Sequence, residues 1–208
     1  MEDVKKICEA IQMSHFDAEG REIIRRAAAF ANQAHDGTNR KGKKIPYIYH
    51  PAEVAGIVSE MTEDAEVVAA AFLHDVVEDT SYTAEDIRKE FGDRVTRLVL
   101  SESEDKRRER PADETWKIRK EEFLEHLPGK ERDAKMIALA DKLSNLRSLQ
   151  RDYQERGEEL WNIFNQKDPK EHAWYYGEVI RILEKDFPDA PSLQEMKQCY
   201  QSVFGDLT

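Results

Sequence analysis

The sequence predicts an all-α protein, a helical bundle over residues 1–208. Three observations predict it. Apolar residues recur from end to end at the three-and-four spacing of a helical face. The 9 glycines and 7 prolines fall between the periodic segments. No segment alternates apolar and polar residues convincingly, apart from the brief Tyr47-Ile48-Tyr49.

The elements follow in order. Residues 17–35 form a helix with Ile24, Ala27, Ala28, Ala31 and Ala34 on one face, stopped by Gly37. A basic loop leads to Tyr49. Pro51 suits a first helical position, and Val54, Ile57, Val58 and Met61 continue from it. Residues 64–79 are almost wholly apolar and read as one buried central helix. Thr83 and Asp86 make a capping-box pattern that opens a short helix, ended by Phe91-Gly92. Residues 101–115 are charged, hold Pro111 and lack an apolar face. They read as a surface loop, either a solvated connector or a lid. Residues 116–127 and 133–150 are further helices. The second carries the stripe Met136, Leu139, Ala140, Leu143, Leu146 and Leu149. Helical segments over 155–187 and 191–205 complete the set. Domains run roughly 100–200 residues, so one domain is expected. Its motif-bearing core lies at 20–151, with 152–208 packed on it.

Composition excludes several classes. There are 32 Lys and Arg against 43 Asp and Glu, a net charge of −11. That balance argues against a nucleic-acid binder, whose affinity rests on neutralising phosphates. The longest purely apolar run, 67–73, is far short of the ~20 residues of a membrane span. No apolar leader is visible at the N-terminus, and no membrane partner is expected. Cys8 and Cys199 stand at opposite ends without metal or disulfide spacing, which fits reduced thiols in the cytoplasm. Oligomeric state is not legible.

The informative residues are ionisable groups in apolar surroundings, since a buried charge must be paired, hydrogen-bonded or metal-bound. Within 64–79, His74 and Glu78 lie four apart, as do Asp75 and Asp79, which puts one imidazole and three carboxylates on adjoining faces. Asp141, Asn145 and Ser148 follow the same logic beside a later apolar stripe. His50 sits between an apolar triplet and a Pro-started helix. Two imidazoles, His50 and His74, with the carboxylates Asp75 and Asp141, suit Mn²⁺, Fe²⁺ or Zn²⁺. Such an ion lowers the pKa of a water, and Glu78 and Asp79 would orient or deprotonate it. A satisfied His-Asp hydrogen bond is the plainer alternative. The other His-Asp pair, His35-Asp36, ends a helix expected to be exposed, where an imidazole favours the helix dipole.

Basic residues gather at Arg40, Lys41, Lys43 and Lys44, at Lys117, Arg119 and Lys120, and at Lys142, Arg147 and Arg151. Such patches can concentrate a phosphorylated ligand, and the guanidinium of Arg40 can stack on a base. Ordinary solvated charge is the alternative reading for each. His15, His126 and His172 read as surface or capping residues. Trp161, Trp174, Tyr175 and Tyr176 read as core packing.

Together these residues resemble the HD-domain metal-dependent phosphohydrolases, and within them the hydrolase half of RelA/SpoT-type alarmone enzymes and the stand-alone small alarmone hydrolases. The resemblance rests on Ala34-His35-Asp36-Gly37, Arg40-Lys41, Ile45-Pro-Tyr-Ile-Tyr-His50-Pro51, Ala71-Phe-Leu-His74-Asp75-Val-Val-Glu78-Asp79-Thr80, Phe91-Gly92 and Leu139-Ala-Asp141-Lys-Leu-Ser-Asn145-Leu-Arg147, in that order. The resemblance implies Mn²⁺, or another divalent transition metal, on His50, His74, Asp75 and Asp141. It implies catalytic roles for Glu78, Asp79 and Asn145, and substrate contacts from Arg40, Lys41, Asn145 and Ser148. The implied partner is a small phosphorylated nucleotide. The implied reaction removes the 3′-pyrophosphate of guanosine 3′,5′-bis(diphosphate). Ser144 departs from the His or aromatic residue usual there. Ser101-Glu-Ser-Glu104 departs from the Gly-Val-Thr-Lys of the long bifunctional enzymes. Another nucleotide remains an alternative: an adenosine analogue, a deoxynucleotide or NADPH. So does a catalytically silent nucleotide-binding module. Alarmone synthesis is not expected.

Overall fold

The computed structural model describes residues 2–107 and 109–205. Among them the protein is all-α, as expected, and an isolated Asn39–Pro46 bridge is the one β-pairing. The chain divides into two compact units. The first comprises residues 2–103 and Met136–Ala140, and the second residues 104–135 and 141–205.

The first unit opens with a single turn, α1 (Val4–Ile7), and two short 3₁₀ turns. Asp17 caps α2 (Ala18–Ala34), its carboxylate accepting the Gly20 N–H at 2.7 Å. Next come α3 (Tyr49–Ser59), α4 (Ala65–Leu73), α5 (Val76–Asp79) and α6 (Ala84–Glu102). The unit is built round α4. Every residue of its Val67–Leu73 run is fully buried, because α2, α3 and α6 all pack on it. A helix that is apolar on every face is satisfied only by neighbours on every side.

Four sequence expectations shift here. The 64–79 helix is broken by a two-residue turn at His74-Asp75, between α4 and α5. The Thr83–Asp86 capping box is present, but the helix does not end at Gly92. There it kinks, with Gly92 at φ 81°, and resumes to Glu102 because glycine tolerates the left-handed region. Tyr47-Ile48-Tyr49 is no strand. Helix α3 starts at Tyr49, so Pro51 occupies its third position, where its missing N–H costs nothing. Residues 101–102 and 112–115 belong to helices, so of the expected 101–115 loop only 103–107 and 109–111 lie outside helices, and residue 108 is outside the described residues.

The second unit holds α7 (Ala112–His126), α8 (Arg132–Arg156), a 3₁₀ segment (Gly157–Ile163), α9 (Pro169–Leu183) and α10 (Pro191–Phe204). The 3₁₀ segment and α9 divide the single 155–187 element that was expected. Helix α8 is continuous, and its Met136–Ala140 stretch belongs to the first unit. His172 is buried rather than superficial. It sits against Trp116, Trp161 and Phe164 at 5.2, 5.2 and 5.3 Å between ring centroids. Trp161 and Tyr175 are core residues, as read from the sequence.

Candidate metal centre

The loop before α3 is a small closed hairpin. Tyr47 N–H donates to Thr38 C=O, and Arg40 N–H to Ile45 C=O, each at 2.9 Å. Lys43 N–H reaches Arg40 C=O at 3.0 Å across Gly42, whose φ of 72° the tight turn requires. Half-buried Arg40 and exposed Lys41 are carried at the tip. The loop closes at Tyr47, whose carbonyl accepts the His50 N–H at 2.9 Å. The loop is therefore tied directly to the helix that carries His50.

His50 and His74 converge on one carboxylate oxygen. Asp75 Oδ2 lies 3.0 Å from His74 Nε2 and 3.5 Å from His50 Nε2. The two imidazoles meet edge to face at 5.3 Å and are buried, at 4% and 2% exposure. The chemistry of this set selects a cation. His74 Nδ1 lies 2.7 Å from the Ala71 carbonyl, which can only accept, so Nδ1 carries the hydrogen. In the neutral ring, Nε2 then presents its lone pair to an electron-rich carboxylate oxygen. Two such atoms sit 3.0 Å apart stably only with a proton or a metal ion between them. A divalent ion fits two imidazole nitrogens and a carboxylate.

Sequence reasoning missed two residues of this cluster. The Tyr47 hydroxyl donates to the same Asp75 Oδ2 at 2.7 Å. Burial, then the charges of Asp75 and Asp79, push its phenol well above the usual tyrosine range, so it remains a donor at neutral pH. Its signal was its place in an apolar triplet, which resembled a strand. His35 is the second. The expected exposed helix end is instead 3% exposed, with the imidazole 4.8 Å from the Tyr47 ring. Burial lowers its pKa despite the opposing pull of Asp75 and Asp79, which corrects the helix-dipole reading. Neither ring nitrogen has a hydrogen-bond partner among the described residues.

Glu78 and Asp79 occupy α5, the turn immediately after Asp75, half-buried and exposed respectively. In the second unit, Asp141 is buried and follows Ala140, the last residue of the α8 stretch belonging to the first unit. Its carboxylate accepts the Asn145 amide N–H at 2.6 Å, as the four-residue spacing predicts, and pairs with the buried Lys142 ammonium. Ser148 lies on the same helix, less than one turn beyond Asn145. The later basic sets are largely committed to protein carboxylates. Arg119 and Lys120 hold Glu104 at 2.8 and 2.7 Å, Lys117 reaches Glu171 at 2.5 Å, and Arg147 grips Glu195 with two bonds of 2.6 Å.

Residues 27–168 match the HD domain family. The chain is similar to the guanosine-3′,5′-bis(diphosphate) 3′-pyrophosphohydrolase MESH1 of Xenopus tropicalis. The two are 42% identical over 132 residues, 62% of this chain and 70% of that one. It is 39% identical over 129 residues to the bifunctional (p)ppGpp synthase/hydrolase SpoT of Escherichia coli, covering 61% of this chain and 18% of the other. A solved structure of a metazoan orthologue of SpoT that hydrolyses ppGpp superposes with a TM-score of 0.66 at 28% identity, over 89% of this chain and 95% of that one.

Proposed function

The chain belongs to the HD-domain family, and from that premise we propose that it hydrolyses the 3′-pyrophosphate of guanosine 3′,5′-bis(diphosphate). The products are GDP and pyrophosphate, or GTP and pyrophosphate from the 5′-triphosphate form. The observation that carries this reading is the convergence of His50 and His74 on Asp75 within an apolar interior, with two further carboxylates on the next turn.

His50, His74, Asp75 and Asp141 would hold one divalent ion, which we assign as Mn²⁺. Such an ion supplies a Lewis acid that polarises a phosphate oxygen and acidifies water. Glu78 and Asp79 orient the attacking water and take its proton. The water oxygen ends on the pyrophosphate, the bond from the ribose 3′-oxygen to phosphorus breaks, and that oxygen is reprotonated. Arg40 and Lys41 bind the nucleotide from the hairpin tip, the Arg40 plane suiting a base. Asn145, tied to Asp141, contacts the ribose and scissile phosphate, with Ser148 beside it. Among the described residues no helix is long and apolar enough to cross a membrane. Cys8 and Cys199 are both buried and form no disulfide with each other, which suits a reducing cytoplasm.

The test is an assay on metal-stripped protein with guanosine 3′,5′-bis(diphosphate), with and without Mn²⁺, products resolved by anion exchange. Metal-dependent release of GDP and pyrophosphate is expected. Release of single phosphates would move the protein to a phosphatase reading. No turnover despite bound Mn²⁺ would turn the substrate search to adenosine analogues, deoxynucleotides and NADPH.

A further inference from the structure

Tyr47 stands where the proposed metal ligands meet, yet the mechanism above gives it no role. It touches two of them by different atoms. Its carbonyl accepts the backbone N–H of His50, and its hydroxyl donates to Asp75 Oδ2. Its ring lies 4.8 Å from His35, 5.8 Å edge-on from His50 and 5.7 Å from the Arg40 guanidinium. Its own N–H is fixed to Thr38. The phenol is therefore held by backbone and ring contacts that owe nothing to its oxygen.

Asp75 is placed differently. It sits at the turn between α4 and α5, and its side chain is 18% exposed. Its Oδ2 faces both imidazoles, an arrangement that opposes electron-rich atoms until a cation enters. A carboxylate in that position swings away unless a donor holds it. The Tyr47 hydroxyl, 2.7 Å distant, is such a donor from outside its own helix.

We infer that Tyr47 is a positioning residue: its hydroxyl fixes the Asp75 carboxylate against His50 and His74 so that the site is formed before the ion arrives. The inference rests on the proposed metal reading. Outer partners of this kind typically change metal affinity 10–100-fold, roughly, when removed.

The experiment titrates Mn²⁺ alone into full-length, metal-stripped protein and reads free Mn²⁺ by electron paramagnetic resonance. Wild type is compared with Tyr47→Phe, which keeps every ring contact and removes one oxygen. Metal-free melting is recorded for both by circular dichroism. The expected result is a roughly 10–100-fold weaker Kd in the variant with unchanged metal-free melting. With Co²⁺ in place of Mn²⁺, the visible absorption of the variant should also shift, because the carboxylate is no longer held in one orientation. An unchanged Kd in the variant, with wild type binding one ion, overturns this inference and leaves the metal reading intact. A metal-free melting temperature lowered by several degrees assigns the hydroxyl to the fold and overturns it too. Wild type that binds no Mn²⁺ overturns the metal reading and the inference with it.

Discussion

Replacing Asp75 by Asn separates a metal site from a structural His-Asp ion pair, because the two make opposite predictions for stability. In the metal-site reading, Oδ2 of Asp75 faces the lone pair of His74 Nε2 at 3.0 Å. An amide nitrogen at that place donates one N–H to Nε2 and relieves the opposition, and the Tyr47 hydroxyl, which donated to the same Oδ2, turns to accept the other. Metal-free Asp75→Asn should therefore melt at or slightly above wild type. Metal should reverse the ranking. At free Mn²⁺ of 100 times Kd, linkage stabilises wild type by about 2.7 kcal/mol. For a chain of this length that is a rise of about 5–10 °C. Taking the lost carboxylate to weaken binding ~100-fold, the same Mn²⁺ only half-saturates the variant. The gain falls to about 0.4 kcal/mol, a shift of about 1–2 °C. The assay is thermal unfolding by far-ultraviolet circular dichroism, in chelator and in Mn²⁺. If Asp75 instead neutralises a protonated, buried His74, the substitution strands that charge and costs about 3–5 kcal/mol in chelator. A large metal-free loss with the Mn²⁺ shift retained would refute the reasoning.

Three further outcomes are expected. Phe72→Ala opens a cavity in fully buried α4 and should cost about 3–5 kcal/mol, read by denaturant unfolding. Tyr175→Phe should be neutral or stabilising by up to about 1 kcal/mol, since the buried Tyr175 hydroxyl has no hydrogen-bond partner among the described residues. A clear loss of stability would show that the hydroxyl is bonded after all. Asp64 caps α4, and the Arg94 guanidinium holds its carboxyl below the usual range. Its stabilisation is present above the unfolded pKa of about 4 and is lost as pH falls through the lower folded value. Asp64→Ala should cost about 1 kcal/mol near neutrality, and its gap to wild type should close in acid.

The helical class and the central placement of α4 were legible because an unbroken apolar run can be satisfied only by burial on every side. The turn at His74-Asp75 was not legible, since no glycine or proline marks it. The kink at Gly92 was marked, but the signal for stopping a helix is the same as the signal for bending one. His50, His74 and Asp75 were legible as ionisable groups among apolar neighbours. Tyr47 and His35 were not. A tyrosine in an apolar triplet looks like packing until its hydroxyl is seen on a carboxylate. A histidine beside Gly37 looks like a helix end until the hairpin before α3 is seen to cover it.

At the turn between α4 and α5 two consecutive residues face each other. On a regular helix, neighbours i and i+1 point about 100° apart and do not face each other. The four-residue spacings His74–Glu78 and Asp75–Asp79 suggested a site spread along one helical rim. In the structure α4 ends at Leu73, and His74 and Asp75, the latter at φ −95° and ψ −5°, form the turn before α5. There the Asp75 carboxylate meets the Nε2 of its own neighbour, while His74 Nδ1 stays anchored to Ala71. Asp79 N–H still bonds to Asp75 C=O at 2.9 Å, so α5, which carries Glu78 and Asp79, begins at once. The turn thus sets His74 and Asp75 toward His50, with Glu78 and Asp79 on the helix that follows. The adjacency of the two residues in sequence becomes chemically useful because the imidazole, tied back to Ala71 through Nδ1, offers Nε2 to the carboxylate next to it.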